Sequence, residues 1–121
     1  MKLFRVSLGL LIGGLFVNGL MANSPESRIA EMELELPAAA SPVANYVPSV
    51  RVGNLVFLAG HIPRDSAGEL MTGKVGTDVS LAEGQAAAKH TALALLATLR
   101  QELGTLDKVK RIVRVEGFVN C

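Results

Sequence analysis

A chain of 121 residues has the size of one domain, and 50% apolar with 19% charged residues excludes a disordered tail. Aromatic residues at 4%, with no tryptophan, exclude an aromatic stacking platform for nucleic-acid bases; the single cysteine, Cys121, excludes an intramolecular disulfide or a cysteine-based zinc site. The net charge is +1; setting residues 1–22 aside takes Lys2 and Arg5 from the twelve basic residues and leaves ten against eleven acidic ones, or −1, so no global field gathers nucleic acid or anionic lipid.

Residues 1–22 have the three parts of a secretory signal peptide. Lys2 and Arg5 form a basic start, Val6 to Val17 is an uncharged apolar run, and Asn18 to Ala22 is a small, polar end with a cut expected after Ala22. The alternative is a membrane anchor, for which the apolar run is short of the ~20 residues that a span needs. No cysteine follows the cut, so a lipid at the new N-terminus is not expected. The expected location is periplasmic or secreted, with no membrane contact after cleavage.

Residues 23–48 are expected to form a helix and a connector. Ser24-Pro25 is a helix start, a capping hydroxyl followed by proline at the first helical position. Glu26 and Glu31 suit the positive helix end, Ile29 and Met32 give one modest apolar face, and the helix should stop before Pro37. Residues 37–48, with three prolines, read as an extended connector.

Residues 49–121 form the main domain. Val50 and Val52 lead into Gly53-Asn54, a two-residue hairpin turn with glycine where a positive φ is required. Leu55 to Ala59 is apolar on both faces, as in a strand covered on both sides. Gly60 interrupts it, which marks close backbone approach or a bulge, and His61-Ile62-Pro63 closes it. Asp65 to Gly68 is turn chemistry, and Leu70-Met71 predicts a short strand ending at Gly73.

Ser80-Leu81-Ala82-Glu83 is a capping box. Behind it Ala88, Ala92, Leu95, Leu96, Leu99 and Leu103 recur at helical spacing, with Gln85, Lys89, Arg100 and Glu102 on the wet side and Gly104 as a left-handed stop. Leu106 to Val109 turns into a last predicted strand, Arg111 to Asn120, where Val113, Val115 and Val119 alternate with Arg114, Glu116 and Phe118. The order of strands followed by a single covering helix gives an α+β class. One helix covers one sheet face, so the other face needs a partner subunit or further sequence.

The run Tyr46-Val47-Pro48-Ser49-Val50-Arg51-Val52-Gly53-Asn54-Leu55-Val56-Phe57-Leu58-Ala59-Gly60-His61-Ile62-Pro63 resembles the RidA family, also called the YjgF or endoribonuclease L-PSP family. Leu106-Asp107-Lys108-Val109, Val113-Arg114-Val115 and Phe118-Val119 resemble its strand after the first helix, and the likeness covers about residues 34–121. The Ala-Asn-Tyr-Val-Pro form points to the L-PSP-like branch. The resemblance implies a chorismate-mutase-like α+β fold and a homotrimer, with sheets inside, helices outside and sites between subunits. It implies hydrolysis of reactive enamine and imine intermediates of amino-acid breakdown to 2-keto acids and ammonia, without metal or organic cofactor. Two further family readings are a non-catalytic module that binds keto acids and an RNA-cleaving translation inhibitor.

Residue by residue, the resemblance gives four substrate-binding candidates. Tyr46 stands at the family's pocket tyrosine and Gly60 at the glycine whose backbone approaches the ligand. Ala59 stands where serine is common, and His61 where glutamine is common. The family's carboxylate-binding arginine and water-activating glutamate lie beyond the matched strand, so no catalytic residue is assigned and the chain as given is expected to be a C-terminally truncated, inactive form. His61 is either a cleft group that titrates or hydrogen-bonds or a plain strand-end histidine. Tyr46 lines a pocket or seals the connector. His90 is expected to be solvated, Lys108, Lys110, Arg111 and Arg114 to form a solvated basic edge, and Cys121 to be an inert terminal thiol.

Overall fold

The computed structural model describes residues 23–39 and 45–121. The expected signal peptide and residues 40–44 of the connector lie outside the described residues. The first helix, α1 (Pro25–Glu31), begins as the sequence predicts: the Ser24 hydroxyl accepts the Ser27 N–H at 3.2 Å, with proline in the first turn. It ends well before Pro37. Met32 donates back to the Arg28 carbonyl at 3.0 Å, and Glu33 takes a left-handed φ of 51° that stops the helix. None of its residues is fully buried, and Ile29 is half-buried, so its apolar anchor is slight.

Strands β1 (Ser49–Val52) and β2 (Leu55–Leu58) form an antiparallel hairpin in the register Ser49↔Leu58 to Val52↔Leu55. Gly53 has φ +57° while Asn54 is not left-handed, the pattern of a type II′ turn. The predicted strand at Leu70-Met71 is reduced to a single bridge between Leu70 and Arg64. The Asp65 carboxylate explains this: it accepts the N–H groups of Ala67 and Glu69, each at 2.9 Å, and folds the segment into a tight loop.

Helix α2 (Leu81–Leu103) has both halves of its capping box. Glu83 N–H reaches the Ser80 hydroxyl at 3.2 Å, and Ser80 N–H reaches the Glu83 carboxylate at 2.7 Å. Gly84 admits the neighbouring loop, since a Cβ there would stand 2.9 Å from Val75 Cγ2. Gly104, at φ +80°, is the left-handed cap, and a 3₁₀ turn (Leu106–Lys108) follows.

The core is Ala97, Thr98, Leu99 and Leu106. Leu95, Leu96 and Leu103 are half-buried, but Ala88 and Ala92 of the predicted apolar face are exposed, and His90, expected in solvent, is half-buried. Length explains the difference. A four-residue strand runs about 13 Å, whereas a 23-residue helix runs about 34 Å, so the hairpin covers less than half of α2. Along β2, Val56 and Leu58 are half-buried while Leu55 and Phe57 are exposed, so cover is present on one face among the described residues.

The last predicted strand, Arg111 to Asn120, is corrected by the structure: it belongs to no ladder. Period-two alternation is a pattern for pairing, and a strand exists only with a neighbour to bond. Here one backbone bond, Val75 N–H to the Asn120 carbonyl at 2.9 Å, ties the segment down. Val113, Val115 and Val119 are exposed, and Phe118 is 97% exposed.

Candidate functional site

The open end of the hairpin carries the candidate residues. The Ala59 N–H extends the ladder by one bond, to the Pro48 carbonyl at 2.9 Å. The chain before Pro48, with Tyr46, and the chain after Ala59, with Gly60 and His61, therefore lie at the same end of β1–β2. Tyr46 is 48% exposed among the described residues. Ala59 is half-buried, and Gly60 is exposed with open space to 4 Å where a Cβ would be. The close approach expected at Gly60 is thus not made by this chain's described residues; the space beside the glycine is free.

His61 is half-buried and turns back over its own strand. Its Nδ1 lies 2.9 Å from the Ala59 carbonyl oxygen, and its Nε2 lies 2.8 Å from Thr98 Oγ1 on α2. A carbonyl can only accept, so these partners assign the proton to Nδ1; in the neutral ring Nε2 then accepts the Thr98 hydroxyl hydrogen. Both nitrogens are engaged inside the chain. His61 as folded is a strap between hairpin and helix and does not present a free base. Thr98, 2% exposed, is the residue that sequence reasoning missed. A hydroxyl among the alanines and leucines of α2 was its one signal.

A second polar cluster fastens the other end of α2. Arg100 donates Nε and Nη2 to Glu26 at 3.1 and 2.5 Å, Leu106 N–H reaches the same carboxylate at 2.9 Å, and Glu26 N–H is accepted by Asp107 at 3.0 Å. The Leu106 N–H and then the Arg100 guanidinium hold the Glu26 carboxyl below its ordinary range. A shallow open groove beside it is lined by Leu36, Pro37, Ala97, Arg100 and Gly104 and includes none of the four candidates.

The basic cluster is partly spent locally. Lys108 Nζ donates to the Leu103 carbonyl at 2.5 Å, capping α2, and Arg114 pairs with Glu116. Cys121 is exposed. Among the described residues no three His, Cys, Asp or Glu side chains are placed to hold a metal ion, and no helix is long and apolar enough to cross a membrane.

Comparison with known proteins converges on one group. Residues 26–121 match the family described as "YjgF/chorismate mutase-like, putative endoribonuclease". The chain is 39% identical over 94 residues to Protein TCP17 of Trypanosoma cruzi, covering 78% of this chain and 59% of that protein. It is similar to the crystal structure of a "putative endoribonuclease" from Shewanella oneidensis, with 37% identity and a TM-score of 0.68 over 74% of this chain and 60% of the other. A protein of unknown function from Agrobacterium tumefaciens is 38% identical, with a TM-score of 0.60 over 72% and 52% of the two chains. The chain spans 59% of the length of the curated relative and 60% and 52% of the two solved ones.

Proposed function

The chain belongs to the YjgF/chorismate-mutase-like family, and from that premise we propose that its complete form hydrolyses reactive 2-imino and enamine compounds to 2-keto acids and ammonia. The observation that supports this most is the exposed glycine at the open end of the hairpin. No described residue other than its chain neighbours lies within 4 Å of where a Gly60 Cβ would be, Tyr46 lies at the same end, and His61 fixes the backbone there from behind. In the reaction, a water oxygen adds to the imine carbon while the imine nitrogen takes up a proton. The resulting carbinolamine passes its hydroxyl proton to nitrogen, the C–N bond breaks, and ammonia leaves the 2-keto acid. The substrate carboxylate calls for a cation, best a bidentate arginine, and the attacking water for a proton acceptor. Neither role is assigned to any of the described residues.

On this reading the protein works as a homotrimer, without metal or organic cofactor, in the periplasm or outside the cell. A neighbouring subunit would cover the sheet face on which Leu55 and Phe57 are exposed. The test is release of 2-keto acid and ammonia from an imino acid generated in situ, with the protein isolated at its natural length. Release above the uncatalysed rate supports the reading, and release at the background rate rejects it.

A second reading, a small-molecule binding module, rests on Ala59, which removes a hydroxyl, and on His61, whose nitrogens are both occupied. Calorimetry against 2-keto acids separates the two, since binding without turnover is its signature. RNA cleavage, the activity in the name of the Shewanella neighbour, ranks last on the near-neutral charge. Salt-sensitive cleavage by purified protein, absent from a mock preparation, would reverse that order.

A further inference from the structure

We propose that Thr98 and His61 together form a positioning device that aims the Gly60 N–H at the ligand; this rests on the reading of the hairpin end as the binding site. Two threonines on α2 show the device by contrast. Thr91 makes the bond usual for a threonine inside a helix, back to the Ala87 carbonyl at 3.0 Å. Thr98, two turns further on and buried, sends its hydroxyl 2.8 Å to His61 Nε2 instead. This holds the imidazole in one orientation and one tautomer, with the Nδ1 proton on the Ala59 carbonyl at 2.9 Å.

The Ala59 carbonyl and the Gly60 N–H belong to one peptide unit, which is planar and trans. Its C=O and N–H therefore point in opposite directions. Drawing the carbonyl towards the ring turns the Gly60 N–H away from it. The other half of Ala59 is fixed as well, its N–H being tied to Pro48. The Gly60 N–H has no partner among the described residues, and Gly60 itself is exposed. A buried hydroxyl on the helix thus sets the direction of an exposed backbone donor at the hairpin end. That donor suits a carbonyl or carboxylate oxygen of a 2-keto acid. Neither Thr98 nor His61 touches the ligand; both act through the peptide between Ala59 and Gly60.

Nuclear magnetic resonance of the ¹⁵N-labelled full chain tests this in two arms. In the ligand-free arm the neutral form of the His61 ring should show a pyrrole-type Nδ1 and a pyridine-type Nε2. Thr98→Val should abolish that preference and shift the Gly60 amide resonance, while Thr98→Ser keeps both. His61→Gln, which can still donate to a carbonyl, should leave the Gly60 resonance closer to wild type than His61→Ala does. An Nε2-protonated ring in the wild type, or a Gly60 resonance indifferent to Thr98→Val, overturns the proposal. In the second arm 2-oxobutyrate is titrated in. Wild type and Thr98→Ser should bind alike and Thr98→Val about fivefold more weakly, the loss of one hydrogen bond's worth of alignment. If 2-oxobutyrate leaves the Gly60 resonance unmoved while the first arm gives the expected pattern, the positioning device stands and the binding-site reading fails.

Discussion

Replacing Glu26 with alanine isolates what holds α1 to the rest of the fold. The helix has seven residues and none of them is buried; helices this short are not stable alone in water. Its side-chain attachment is the Glu26 carboxylate, bonded to Leu106 and Arg100, beside the backbone bond from Glu26 N–H to Asp107 that the substitution leaves in place. Removing the carboxylate leaves the N–H of Leu106, a residue 1% exposed, without its acceptor, and a buried donor left unsatisfied costs about 1–3 kcal/mol. The Arg100 pair adds less. Its side chains are 38% and 27% exposed, and solvent screening limits such a pair to about 0.5 kcal/mol. The expected loss is about 2 kcal/mol, read as a shift in the urea midpoint at constant slope. Hydrogen exchange locates it: the amides of Arg28 and Met32, bonded to Ser24 and Arg28 carbonyls, should lose protection before those of α2. A loss below about 0.5 kcal/mol, with Arg28 and Met32 still protected, would refute the view that this one carboxylate docks α1.

The same carboxylate predicts a pH dependence. Folding lowers its pKa, so its contribution is complete above the unfolded value of 4.5 and is lost as pH falls through the lower folded value; denaturation midpoints should drop over that acid window in the wild type and drop less in Glu26→Gln. Gly84→Ala sets the alanine preference for helix, about 1 kcal/mol, against overpacking of about 1–3 kcal/mol at Val75, where the new Cβ would stand 2.9 Å from Cγ2. A net loss of about 1 kcal/mol in thermal melts is expected, and a gain would show that Val75 gives way freely. Gly104→Ala forces a Cβ into φ +80° and should cost about 1–2 kcal/mol. Phe118→Asp should leave the melting free energy within about 0.5 kcal/mol, because the ring is 97% exposed, yet reduce self-association in light scattering; a clear loss of stability would place Phe118 in a folded contact.

What could be read from the residues followed the reach of each signal. The Ser24 cap, the Ser80–Glu83 box and the Gly104 stop act within a few residues, and all three stand where the sequence put them. The hairpin was legible because Gly53-Asn54 closes it over two residues. The strand at Arg111–Asn120 was misread because alternation describes which faces a strand would have, while its existence depends on a neighbour. The alanines at 88 and 92 were misread for a related reason: helical spacing marks a stripe and does not say how much of it a short hairpin can reach.

Local order, then, was determined by the sequence alone, since backbone sterics, capping hydroxyls and glycine's freedom need no distant partner. Only the tertiary structure joined Glu26 to Arg100 across 74 residues and to Leu106 across 80, and His61 to Thr98 across 37. Each of those bonds joins residues whose spacing carries no periodic mark, two of them between side chains and one from the Leu106 backbone N–H. Their meeting is decided by where α1 and the end of the hairpin come to rest on α2, and that resting place follows from burying Ala97, Leu99 and Leu106 while leaving no buried polar side-chain atom among the described residues without a partner.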